Sequence, residues 1–290
     1  MIKLLFNRLR VFQQFTIGEL IELVVGKFFS ARNSGRFNRL QQREINLVKI
    51  LQIDDRAIIG EQEAEINHPV SNKLCTFFLR MVGSDIWVFN QVFQSSGYAV
   101  VDTLYTKFYG APPTTFVDAG ANIGLVSIYF VSLNPEMRIL AIEPDPENCR
   151  MARKNFSANR CQNIELFEQA LWPTQTNLKL VNDFRDQLNW SLRVEEDNSG
   201  GITTITPEAV IRYFDQPVDI MKIDIEGGED KLFGHACDLN WLTQIKIIAI
   251  EIHDEQTDRE RITSMLKSSG FSLEIHGELT IGINTRTLSA

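Results

Sequence analysis

The chain lacks any apolar run of about 18 residues, so no membrane-spanning helix is expected. Its first residues are basic and apolar, but Asn7, Arg8, Arg10, Gln13 and Gln14 interrupt them and leave no signal-peptide core. Cysteine and histidine are scarce. Cys75, Cys149, Cys161 and Cys237 form no C-x-x-C pair, and His68, His235, His253 and His276 stand at no zinc-ligand spacing from them. That excludes a zinc finger or a disulfide scaffold and suits reduced thiols in a cytoplasmic protein. Internal repeats and low-complexity tracts are absent as well. Positive charge is in deficit: the net charge of −8 disfavours general nucleic-acid binding. The deficit is uneven. Residues 1–43 carry eight Lys/Arg against Glu19 and Glu22, a net +6, which leaves −14 for the remainder.

What the chain does have is apolar material for a core, at 44% of its residues. The most informative stretch is Phe116–Phe130, FVDAGANIGLVSIYF. Phe116 and Val117 read as a buried strand. Asp118-Ala119-Gly120-Ala121-Asn122-Ile123-Gly124 is a glycine turn, and Leu125, Val126, Ile128, Tyr129 and Val131 recur at helical spacing. Strand, turn and helix begin a βα unit of an open parallel sheet. Ile139–Ile142 is a second strand, and Glu143 stands at its end, about 20 positions beyond the turn. That is where nucleotide folds place the carboxylate that accepts ribose hydroxyls. The dinucleotide fingerprint wants a glycine where this chain has Asn122. Asp118 precedes the turn, where it would repel a phosphate and suit a cationic ligand. The turn is therefore read as a site for a positively charged nucleoside, and S-adenosylmethionine fits.

The rest of the chain supplies further elements. Asp145 caps a helix to about Asn159, and Asn163–Leu171 reads as a third strand. Asn177–Val181 and Leu188–Val194 pair as a hairpin, with Trp190 and Arg193 candidates to line an acceptor pocket. Val218–Ile225 is a fourth strand, with Lys222, Asp224 and Glu226 on one face. Ile245–Ile252 is a fifth, ending in Glu251 and His253. If these two strands are parallel neighbours, Asp224, Glu226, Glu251 and His253 gather at one sheet edge. They are the candidate catalytic residues. An alcohol acceptor needs a general base, worth roughly 100- to 10,000-fold, and His253 has the most suitable intrinsic pKa. The same cluster could instead hold a divalent metal, or Lys222 could simply pair with Asp224. Helix Thr257–Ser269 and an antiparallel pair, Phe271–Ile275 with Leu279–Ile283, close the chain.

Ahead of the glycine turn, Met1–Phe29 reads as one or two helices divided at Gly18, followed by a flexible link at 30–36. Phe37–Asp54 is a mostly polar helix, Asp55–Val70 is irregular, and Leu74–Val82 and Ile86–Phe93 are short segments of strand or helix. The basic, amphipathic start admits packing on its own domain, a homo-oligomer contact or peripheral membrane contact through 1–43.

Three stretches, VDAGANIG, IEPDPENCRMARKN and DIMKIDIEGGE, together resemble the FkbM-type family of class I S-adenosylmethionine-dependent methyltransferases. The likeness runs from about Asp85 to the C-terminus. It implies a Rossmann-like α/β sheet, mostly parallel, of seven strands with an antiparallel C-terminal pair. A mainly helical N-terminal region, 1–110, would precede the methyltransferase domain, 111–290. It implies cofactor contacts at Asp118, Gly120, Asn122, Gly124, Glu143, Pro144 and Asp224, with Gln169 and Ala170 matching the positions that meet the adenine. Asp85–Val100 would help cover the pocket, with Tyr98 as part of the lid. The expected activity is O-methylation of a small hydroxylated acceptor, a sugar or a secondary metabolite. The competing readings are an NAD-dependent oxidoreductase and a non-catalytic module that keeps the fold.

Overall fold

The computed structural model describes residues 10–28, 35–95, 97–181, 193–197, 199–234, 237–254 and 257–286. Residues 188–192 of the expected hairpin, and most of the link at 30–36, lie outside them. The chain divides into two compact units, Met1–Val88 and Phe89–Ala290.

In the first unit, helix α1 covers Ile17–Phe28 and helix α2 covers Gly35–Ile53. The helix break expected at Gly18 falls instead at Thr16. The Thr16 hydroxyl accepts from the Glu19 N–H, and the Glu19 carboxylate accepts from the Thr16 N–H at 2.7 Å. This reciprocal capping box starts the helix before the glycine, which then sits inside the first turn. One face of α1 leaves Ile17, Ile21 and Val24 exposed. Strands β1 (Ile58–Ile59), β2 (Glu63–Val70) and β3 (Lys73–Arg80) form an antiparallel sheet. The region 55–70, expected to be irregular, is therefore largely strand. Ala64 and Ile66 alternate inward with Glu63 and Glu65 between them, and Ser71, with φ of 54°, turns the chain back. Arg80 and Asp85 form a buried ion pair at 2.7 Å.

The second unit is built on a seven-stranded sheet. Helix α3 (Asp85–Phe93), across which the boundary falls, and α4 (Ala99–Tyr109) precede it. Strand β4 (Thr115–Ala119) leads to α5 (Leu125–Leu133), β5 (Arg138–Ile142), α6 (Pro146–Ala158) and β6 (Ile164–Phe167). After α7 (Pro207–Phe214) come β11 (Val218–Ile223), the single turn α8 (Glu229–Leu232), β12 (Ile245–Glu251) and α9 (Arg259–Ser268). Strands β13 (Phe271–His276) and β14 (Leu279–Asn284) finish it. The order is β13-β14-β12-β11-β4-β5-β6, with β14 antiparallel to both of its neighbours and the remaining pairs parallel. This is the expected Rossmann-like class I methyltransferase sheet. Its direction of growth reverses between β4 and β11, so the strand ends part there and leave a crevice.

A second sheet holds β7 (Ala170–Leu171), β8 (Asn177–Val181), β9 (Arg193–Glu196) and β10 (Ile202–Ile205), in the order β7-β10-β8-β9. The single strand expected over 163–171 is two. Strand β6 stays in the main sheet through Phe167, paired with Ile142, whereas Ala170 and Leu171 pair with Thr204 and Ile205 of β10, so the chain leaves the main sheet after Phe167. The core lies against both faces of the main sheet. Val117, Leu140, Met221 and Ile248 on one face, and Phe116, Ile139, Ile220 and Ile247 on the other, are each essentially without exposure.

Candidate active site

The crevice begins with the turn after β4. Gly120 has φ of 77°, and a Cβ there would stand 1.7 Å from the carbonyl oxygen of Asp224. The two strand ends approach so closely that only glycine fits. Asn122 follows with φ of 51°, a left-handed conformation that asparagine tolerates better than most residues. Gly124 serves a different purpose. A Cβ would fall 2.4 Å from the Phe156 ring, so this glycine lets α5 and α6 pack and does not line the crevice.

Glu143, at the end of β5, is nearly buried. Its Oε2 accepts the Asn122 N–H at 2.8 Å; its Oε1 accepts the Asp145 N–H at 3.0 Å and the Asn148 amide at 3.3 Å. Oε2 keeps an acceptor position for a ligand hydroxyl. Burial pushes the carboxyl up to about 7, against the pull of those three bonds. Asp145 caps α6 as expected, accepting the Asn148 N–H at 2.7 Å.

Asp118 and Lys222 lie beneath the turn. Asp118 is fully buried, accepts the Ser127 hydroxyl at 2.7 Å and pairs with the Lys222 ammonium at 3.3 Å. Lys222 donates to the Gly120 carbonyl at 2.6 Å and stands 3.4 Å from Asp224. Burial alone would lower the lysine's pKa, but Asp118 and Asp224 outweigh it and hold the ammonium charged. The Asp118 carboxylate thus supports the floor of the turn rather than facing the crevice.

The far wall is the loop after β11. Asp224, Ile225 and Glu226 line the crevice, and Glu226 sits at φ of 53°. A strained non-glycine residue at a strand's end is the kind of cost that functional sites carry. Beside them, His253 is buried with Nδ1 3.2 Å from the Glu229 carboxylate. Its Nε2 faces three more carboxylates, Glu226 at 3.5 Å and Asp224 and Glu251 each at 3.8 Å. Burial would lower the imidazole's pKa; the Glu229 bond and the surrounding carboxylates prevail and raise it to about 10. Glu251 is raised to about 8, first by the neighbouring Asp224 charge and then by burial. The four expected catalytic residues are therefore brought together.

Six of the expected cofactor residues, Gly120, Asn122, Glu143, Pro144, Ala170 and Asp224, line one crevice. Asp118, Gly124 and Gln169 do not; Gln169 turns instead to Thr203 and Thr204 of β10. Sequence reasoning missed Asn148, Trp172 and Val194 in the lining. Trp172 is 2% exposed, with its indole N–H held by Glu196 at 3.0 Å. An aromatic directly after the stretch 163–171, read as the third strand, was the available signal.

A carboxylate at the ribose position, a glycine turn too tight for a Cβ and a doubly wound sheet with an antiparallel end define a class I methyltransferase. The chain belongs to the FkbM methyltransferase family: the family model described as the methyltransferase FkbM domain matches residues 118–273, more than half of the chain. It is similar to Methyltransferase 1 of Beauveria bassiana, 25% identical over 55% of this chain and 72% of that protein. It is also similar to methyltransferase sdnD of Sordaria araneosa, 23% identical over 64% of this chain and 82% of that protein. Among solved structures it is similar to a methyltransferase FkbM from Methylobacillus flagellatus KT, with a TM-score of 0.39 and 20% identity over 62% of this chain. That match spans 47% of the bacterial protein's length. A second similar structure is magnesium protoporphyrin IX methyltransferase of Synechocystis PCC 6803 with its methyl donor bound, with a TM-score of 0.40 and 10% identity over 67% of this chain and 81% of that one. Family membership makes the chain a methyltransferase and implies S-adenosylmethionine as its methyl donor.

Proposed function

We propose that the chain transfers a methyl group from S-adenosylmethionine to a hydroxyl of a small acceptor, a sugar or a secondary metabolite. The observation that carries the reading is the crevice itself: Glu143 keeps an acceptor position in its lining, Asp224 and Glu226 line it as well, and Glu251 joins these two around His253 at 3.8 Å. When bound, the donor supplies a methyl group activated on a sulfonium. Residues of this chain do the rest. Glu143 has an acceptor position for a ribose hydroxyl, and Trp172 offers an aromatic wall near the adenine. Asp224 and Glu226 favour positive charge. A cation held by them lowers the Glu251 pKa toward neutrality, so the carboxylate becomes available to take the acceptor's proton. His253 starts protonated on Glu229, so the base role expected of it passes to Glu251 in this reading. The imidazolium instead offsets the surrounding carboxylates.

Titration calorimetry with S-adenosylhomocysteine tests the cofactor half. The wild type should bind, and Glu143→Ala should bind about tenfold or more weakly, the worth of roughly one charge-assisted hydrogen bond. A folded wild type that gives no heat of binding defeats the reading. A methyl-transfer screen over sugars and polyketide alcohols tests the other half and separates turnover from a non-catalytic module. The NAD alternative is disfavoured by Asn122, which stands where the dinucleotide fingerprint wants a glycine, and by Asp224 and Glu226 in the crevice lining, whose charges would repel a pyrophosphate. One further arrangement is supported by geometry: Asp224, Glu226 and His253 each offer a ligand atom, all within 4.8 Å of one another. Chelation discriminates the two. Activity untouched by EDTA excludes a required divalent cation, and activity lost and then restored by magnesium establishes one.

A further inference from the structure

Among the described residues, the large apolar side chains left exposed are unevenly shared. The second unit has three, Phe108, Leu133 and Ile275, on three different elements. The first unit is less than half as long and has ten, four of them within 12–24. Single exposures are ordinary, but a contiguous apolar patch marks a binding surface. On α1, Ile17, Ile21 and Val24 are 79%, 58% and 56% exposed. Their spacing of four and then three residues sets them in one stripe along the helix. Leu23, on another side, is buried, and α1 packs on α2. The two acids of the helix turn away from the stripe: Glu19 stands about 170° and Glu22 about 130° round from its centre. Glu19 is also held in its capping box, with Arg43 3.9 Å away.

Charge narrows what can cover the stripe. Residues 1–43 have a net charge of +6, against −14 for the remainder. Arg39 of α2 is exposed, and Arg10 donates to the backbone carbonyls of Asp55 and Ala57, which are neutral and leave its charge standing. A second copy meeting this face about a two-fold axis would bring the same cationic segment against itself. An anionic lipid surface meets the stripe with hydrocarbon and the cations with headgroup charge, and so satisfies both. With 12 residues, α1 is about 18 Å long, short of the roughly 30 Å of a hydrocarbon layer. No described helix is long and apolar enough to cross a membrane. We propose that α1 seats the protein on an anionic membrane surface, lying along it with Ile17, Ile21 and Val24 turned into the lipid. The stripe shares no residue with the cofactor crevice, so the proposal stands apart from the transfer chemistry.

The full chain is sedimented with vesicles of phosphatidylcholine, alone or mixed with phosphatidylserine. The expected result is at least roughly tenfold stronger binding to the mixed vesicles, weakening as salt is raised. Ile21→Glu with Val24→Glu puts charge into the stripe at exposed positions, so the unfolding midpoint in denaturant should be unchanged. That variant should bind the mixed vesicles at least roughly tenfold more weakly. Should it fail to fold, Arg39→Glu reverses one exposed charge, removes no apolar side chain and should weaken the same binding about fivefold or more. Three results overturn the proposal. The first is a folded wild type that does not sediment with the mixed vesicles, including one that self-associates as a dimer which the double variant dissolves. The second is equal binding to neutral and mixed vesicles, because the cations then have no part. The third is equal binding by wild type and variants, which puts the lipid contact elsewhere.

Discussion

Gly120 and Glu251 show how single residues set the site. At Gly120 the clash with the Asp224 carbonyl is with backbone, so no side-chain rotation relieves it. Gly120→Ala should cost about 2–4 kcal/mol of stability in denaturant unfolding and abolish S-adenosylhomocysteine binding, whereas Gly97→Ala should be nearly neutral. Glu251 carries a kinetic prediction with a definite sign. A carboxyl raised to about 8 is mostly protonated at neutral pH, so a base made from it gains activity as pH rises. The kcat profile of the wild type should therefore climb through an ionisation at or below about 8, and Glu251→Gln should lose roughly 100-fold and flatten that limb. A profile unchanged in Glu251→Gln would move the base elsewhere. Some of this was legible beforehand. The spacing from Gly120 to Glu143 announces a ribose carboxylate because both lie at the ends of adjacent strands. The charge on His253 was not legible, because it depends on Glu229, a residue of another element whose approach is made only by the fold.

Among the elements, β11 illustrates what pattern can and cannot disclose. Its alternation places Lys222 and Asp224 on one face, and the structure keeps them there, 3.4 Å apart. What the pattern leaves out is Asp118 of β4, the register neighbour of Lys222, which makes the lysine the bridge between two strands and the turn above them. Removing one partner of a buried ion pair leaves the other charge uncompensated, at about 3–5 kcal/mol. Lys222→Met should therefore lower stability by that order in denaturant unfolding. Adding Asp118→Asn should recover part of the loss, since the stranded carboxylate is then neutral. If the two changes simply add, the bridge is not energetically coupled. The parallel strands β4, β5, β11 and β12 were readable because both their faces are buried and their sequences run nearly unbroken in apolar residues. Strand β2 was not, because its outward face carries Glu63, Glu65 and Asn67, which read as loop until the pairing with β3 is seen.

For the molecule as a whole, the question is where the catalytic unit begins. The sequence suggested residue 111, just ahead of β4, because Gly110-Ala111-Pro112-Pro113 stops the preceding helix there. The compact unit starts at Phe89, and the difference is carried by α4. Its Tyr105 donates to Asp219 of β11 at 2.6 Å, and its Tyr109 donates to the carbonyls of Lys246 and Asn284, each at 3.0 Å. Lys246 closes the group by donating to Asp219 at 2.7 Å. Asp219 is buried; that burial would raise its pKa, but the bonds from Lys246, Tyr105 and Thr114 prevail and hold it below the usual carboxylate range. By linkage, a depressed carboxylate stabilises the fold above its unfolded pKa and loses that contribution as pH falls through the folded value. A chain cut at 111 removes α4, and with it Tyr98 and two tyrosine anchors. Asp219 then loses the Tyr105 bond, one of the five its carboxylate accepts, and buried apolar surface on Val101 and Tyr105 goes with it. A chain of residues 89–290 should therefore fold and bind S-adenosylhomocysteine within about threefold of the full chain, since every residue that lines the crevice lies inside it. A chain of residues 111–290 should unfold at lower denaturant by several kcal/mol, or fail to fold, and its acid unfolding should begin at higher pH. Equal stability of the two chains would place α4 outside the catalytic unit and return the boundary to 111.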